Sequence, residues 1–164
     1  MTATQMSPGL KAWAARALEL GLGWFWGGNL TPFILFDDAS GQGHLVDLQN
    51  VSGVVGPELV EVGRAIIRDF EPGQFYALGW DGFLTTAGIR QDAVFAEVGA
   101  AGEVLAYVFA QRYKQAGSGE LARVDLPLVA AVTANLWARQ KGRRRARRLG
   151  AASRRKGRRP TSRR

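Results

Sequence analysis

Cysteine is absent from the 164 residues, which excludes disulfides, thiolate metal ligands and cysteine nucleophiles and fits an intracellular setting. Histidine is nearly absent, since His44 stands alone. A two-histidine metal site or an imidazole relay therefore cannot be built, and any Ser-His-Asp triad would have to use this one residue. No Gly-x-Ser-x-Gly sequence supplies a nucleophile elbow for such a triad, so His44, at the start of an expected strand, reads as a turn-edge polar side chain. Long apolar runs are also missing. No stretch reaches the roughly 18 residues of a membrane-spanning helix, and Met1 to Gly9 lacks the basic start and apolar run of a leader. The expectation is a soluble, cytoplasmic protein, or a nuclear one in a eukaryote. No Gly-x-x-x-x-Gly-Lys-Ser/Thr loop is present, and Gly21-Leu22-Gly23 follows a helical pattern where a dinucleotide fingerprint follows a strand. Neither a nucleotide cofactor nor a metal is expected.

Acidic residues are missing from one part of the chain altogether. All 14 lie between Glu19 and Asp125, whereas 14 of the 22 basic residues lie from Arg139 onward. The formal charge of +8 thus conceals a body, residues 1–138, with eight basic against fourteen acidic groups, and a C-terminal stretch, residues 139–164, with fourteen basic groups and no acidic one. Within that stretch Arg143, Arg144, Arg145, Arg147 and Arg148 form one cluster, and Arg154, Arg155, Lys156, Arg158 and Arg159 a second. So many like charges with little apolar surface to bury predict a disordered tail.

The body alternates helical and extended patterns. Ser7-Pro8 reads as an N-cap and first helical residue, after which Leu10, Trp13, Ala14, Ala17 and Leu18 keep helical spacing to Gly21. Pro32 to Asp37 and His44 to Gln49 are β-rich runs around the turn Asp38 to Gly43, and so predict a hairpin. After Pro57, Leu59, Val62, Ile66, Ile67 and Phe70 recur every three or four residues, which predicts a second helix. From Gln74 the period becomes two. Gln74 to Trp80, Phe83 to Thr86, Ile89 to Val98 and Glu103 to Tyr113 are separated by connections too short for parallel crossovers, so they predict an antiparallel meander. Leu121 to Leu126 is a further extended run. Pro127 then opens a third helical pattern through Val129, Val132, Leu136 and Trp137, continuing partway into the arginines. The expected class is α+β: a single, mostly antiparallel sheet with about three helices covering one or both faces. This order resembles the profilin-like arrangement of small regulatory and scaffold domains, a resemblance of topology that implies a binding or adaptor role.

Three groups of side chains are candidates for chemistry. Asp37, Asp38 and Asp47 flank the expected hairpin turn and would suit a hard cation if they converged, although aspartate is also a common turn residue. Asp81, Asp92 and Glu97 lie in the meander, where a metal-dependent nuclease would place carboxylates and a lysine, but the Glu-x-Lys pattern is lacking. Trp24, Phe25 and Trp26, between Gly23 and Gly27-Gly28, cannot all face one way. They either lock the first helix onto the sheet or present a contact surface for a partner.

Taken together, these features predict a non-enzymatic binding or adaptor protein whose arginine-rich tail binds RNA or DNA through phosphate, for which the planar guanidinium is suited. Two other readings stand beside it: a protein–protein interaction or structural domain that self-associates through a sheet edge or the Trp24 to Trp26 segment, and a metal-dependent nucleic-acid enzyme. The sequence does not specify an oligomeric state.

Overall fold

A computed structural model describes residues 6–24, 30–52, 58–70 and 73–138, with the side chains of Val51 and Ser52 excepted. The first helix, α1 (Pro8–Gly23), begins where Ser7 accepts a hydrogen bond from the Leu10 amide at 3.3 Å, and proline occupies the first turn, where its missing N–H costs nothing. Leu10, Ala14, Ala17, Leu18 and Gly21 are buried on one face. A Cβ at Gly21 would lie 2.5 Å from Val94, so this glycine serves close helix–sheet contact.

The hairpin follows as β1 (Phe33–Asp37) and β2 (Gly43–Asp47), in antiparallel register from Phe33 with Asp47 to Asp37 with Gly43. A five-residue helix, α2 (Leu48–Ser52), and the helix α3 (Glu58–Asp69) come next. The meander comprises β3 (Phe75–Thr86), β4 (Ile89–Ala100) and β5 (Leu105–Gln115). β6 (Leu121–Arg123) and β7 (Leu128–Ala134) both pair with β5, β6 at residues 113–115 and β7 at residues 105–110. The sheet runs β2-β1-β3-β4-β5-β6, with β7 also on β5, and all pairings are antiparallel.

Helices cover both faces. Because neighbouring strand residues point to opposite sides, Leu35 packs in a cluster with Leu10, Ala14 and Leu18 of α1, while Ile34 packs with Leu48 of α2 and with Leu59 and Ile67 of α3. Leu136 and Trp137 close the second cluster; the indole Nε1 donates to the Ile67 carbonyl at 2.9 Å, and the ring meets Tyr76 edge-on at 4.9 Å.

Two expectations need correction. The third helix expected from Pro127 is instead the strand β7. Its valines, three residues apart, share one face of an extended chain because a bulge interrupts the register between Val108 and Phe109, so that Val129 pairs with Phe109 and Val132 with Tyr107. Leu136 and Trp137, which completed the helical pattern, lie in the turn beyond the strand, and the third helix of the fold is the short α2. The expected continuation into the arginines lies outside the described residues. The second correction concerns Asp81-Gly82, which reads as a turn but runs inside β3, paired with Val94 and Ala93. Gly82 leaves room for the Phe95 ring, which stacks on Trp80 at 5.5 Å.

Candidate functional site

The hairpin turn is organised by Asp38. Its Oδ1 accepts from the Ser40 amide at 2.9 Å, the Ser40 hydroxyl at 2.6 Å and the Gln42 amide at 3.1 Å, while Oδ2 lies 2.8 Å from His44 Nε2. Those partners, the Ser40 hydroxyl first and His44 next, hold the Asp38 carboxyl well below the usual carboxylate range. His44 also stacks on Phe36 at 5.0 Å, a structural position at the turn edge. Asp37 is buried and faces elsewhere, accepting from the Gln74 and Phe75 amides at 2.8 and 2.7 Å. Asp47 accepts from the Gln49 amide at 3.0 Å and the Asn50 side chain at 3.1 Å at the start of α2. Each of the three carboxylates serves its own stretch of backbone, so they do not converge on a common point.

The meander carboxylates divide between the two faces of the sheet. Asp81 and Asp92 share the α1 face, where Asp81 accepts from the Tyr113 hydroxyl at 3.0 Å. Burial pushes the Asp81 carboxyl up, against the hydrogen bond from Tyr113, and burial followed by the nearby Asp81 charge pushes the Tyr113 phenol up as well. Glu97 points to the opposite face and is only 1% exposed. There Arg64 of α3 donates from Nε to its Oε2 at 2.8 Å, pairs through Nη1 with Glu61, and lies over the Trp80 ring at 5.7 Å. Among the described residues no group of three or more His, Asp or Glu side chains could hold a metal ion. The Arg64–Glu97 pair was not anticipated from the sequence. Its signal was a glutamate inside the apolar run Ala93 to Val98, which cannot be buried without a partner.

Of the aromatic segment, Trp24 is described and Phe25 and Trp26 lie outside the described residues. Trp24 meets Phe33 edge-on at 6.0 Å and remains 39% exposed. It borders an open hollow of about 230 Å³ with Leu30, Thr31 and Asp47. Trp24 thus touches the core through Phe33 and leaves part of its ring exposed to solvent.

The two basic clusters, Arg143 to Arg148 and Arg154 to Arg159, also lie outside the described residues. The last described residue, Ala138, directly follows the buried Trp137. Among the described residues no helix is long and apolar enough to cross a membrane. The chain matches no protein-family model, no curated protein and no solved structure.

Proposed function

We propose that this chain is a non-enzymatic binding or adaptor protein whose C-terminal stretch, residues 139–164, holds it on RNA or DNA through contacts to phosphate. The observation that carries the reading is the partition of charge: fourteen basic and no acidic groups after Ala138, on a body in which acidic groups outnumber basic ones fourteen to eight. Arginine predominates in that stretch, and its guanidinium meets phosphate oxygens with paired hydrogen bonds. The body supplies the second contact, for which Trp24 and the hollow beside it are the candidate surface for a protein or small ligand, with Phe25 and Trp26 adjacent in sequence. The first helix, hairpin, α3 and antiparallel meander match the order expected of a profilin-like arrangement, whereas the C-terminal helix of that order is the strand β7 here.

The test is binding of fluorescent RNA and DNA to the full chain and to a chain ending at Ala138, over a series of salt concentrations. The full chain binds, and log K falls linearly with log salt, with a slope of about −0.9 per phosphate neutralised on duplex DNA. The shortened chain keeps its fold, because it retains every core residue described, Trp137 included, and loses binding. Equal binding by both chains, or by neither, overturns the reading.

A further inference from the structure

The two edges of the sheet are built differently. At one edge β2 is five residues long, carries His44 and Asp47, and is bounded by the Asp38 turn, all features that blunt an edge against pairing with another chain. At the other edge β7 pairs with β5 on one side and with no described strand on its outer side. An unpaired edge carries a row of main-chain donors and acceptors that match another strand; in β7 the bulge interrupts that row at Ala130 and leaves residues 128–129 and 131–134 extended on either side of it. β7 is the sequence Leu-Val-Ala-Ala-Val-Thr-Ala, and no charged residue occurs from Leu126 to Ala138. Val129 and Val132 are 46% and 53% exposed and, because of the bulge, stand together on the α1 face beside the exposed Leu105.

From this edge we infer that the chain forms a two-fold dimer in which β7 pairs antiparallel with β7 of a second copy, continuing the sheet across the interface. Two features select a second copy over another partner. Residues 129–132 read Val-Ala-Ala-Val in either direction, so an antiparallel copy meets valine and alanine with valine and alanine, as an isologous contact requires. A two-fold axis perpendicular to the sheet keeps the α1 faces on one side, which brings the four valines of the two copies together. A dimer of this kind presents two phosphate-binding stretches to one nucleic acid, although the inference itself does not rest on the proposed role of those stretches.

The experiment uses the full chain in about 1 M salt, where the Debye length falls to about 3 Å and repulsion between basic stretches is screened. Sedimentation gives twice the 17.8 kDa chain mass and a dimer that dissociates on dilution. Combining Val129→Lys with Val132→Lys places like charges along the seam, each substitution entering twice, and weakens association by about tenfold or more. Val132→Thr leaves the dimer intact, and near-ultraviolet circular dichroism checks that each variant is folded. Because the chain has no cysteine, single substitutions give a second measurement that does not depend on tolerating lysine. Mild oxidation cross-links Ala131→Cys to its copy and leaves Ala87→Cys, at the exposed β3–β4 turn, largely uncrosslinked. A wild-type chain that stays monomeric at every concentration, a dimer indifferent to the lysines, or equal cross-linking at positions 87 and 131 overturns the inference. Nucleic-acid binding weakens in high salt while the dimer persists, so failure of one proposal is distinguishable from failure of the other.

Discussion

Replacing Arg64 by methionine removes the partner of a carboxylate that has no other route to solvent. Glu97 is 1% exposed in the C-terminal half of β4, and its Oε2 lies 2.8 Å from Arg64 Nε. Breaking a fully buried ion pair by removing one partner costs about 3–5 kcal/mol, because the remaining charge is stranded. The Arg64 side chain is itself 24% exposed, so water reaches the vacated position and the cost falls to about 2–3 kcal/mol. At a urea m-value of about 2 kcal/mol/M, the unfolding midpoint drops by about 1–1.5 M. The contact of Arg64 with Glu61 adds little, since Glu61 is exposed and sits one helical turn away; Glu61→Ala costs only about 0.2–0.5 kcal/mol. The decisive comparison is the double variant Arg64→Met, Glu97→Gln. With no charge left to strand, it is more stable than Arg64→Met alone, and the cycle returns a coupling of about 1 kcal/mol or more. An Arg64→Met loss below about 1 kcal/mol, or single losses that simply add, would refute the claim that Glu97 depends on this arginine.

Two other substitutions follow from the same coordinates. Trp137→Ala, which empties the space between Tyr76 and α3 and removes the bond to the Ile67 carbonyl, costs about 3–5 kcal/mol by denaturant unfolding; a cost below about 1 kcal/mol would mean that the body closes before this residue. Asp38 gives a pH dependence. Its folded carboxyl is held low by the Ser40 hydroxyl and then by His44, so the stability it contributes is present above the unfolded value near 3.9 and is lost as pH falls through the folded value. Hydrogen-exchange protection of the Gln42 amide should therefore decline below about pH 4 in the wild type and be low at every pH in Asp38→Ala. Protection independent of both pH and the substitution would show that Asp38 does not hold the turn.

Much of the fold was legible because local patterns and tertiary packing agree. The Ser7-Pro8 cap, the 38–43 turn, the periodicity of α3 and the short connections of the meander each state their element within a few residues. The charge partition was equally plain, since formal charge needs no structure to be counted. What was not legible depended on partners distant in sequence. Glu97 finds Arg64 thirty-three residues away on another element, and nothing local to either residue names the other. Asp37 and Asp38, adjacent in sequence, end with unrelated duties because one faces the amides of Gln74 and Phe75 and the other its own turn.

The misread segment from Pro127 shows how one irregularity defeats periodicity. In a regular strand, residues 129 and 132 would stand on opposite faces, so two valines three apart argue for a helix. A bulge reverses that inference by inserting one residue, after which a spacing of three also keeps one face. Composition pointed the other way. The run contains two valines and a threonine, it lacks the charged residues that usually line the exposed side of a surface helix, and it follows a proline that suits a strand start as well as a helix start. The absence of charge is what a helix exposed on one side would not tolerate well, and it also sets β7 apart from the edge strand β2, which carries Asp47. The feature that misled the periodicity therefore gathers Val129 and Val132 on one face of β7, where they stay 46% and 53% exposed.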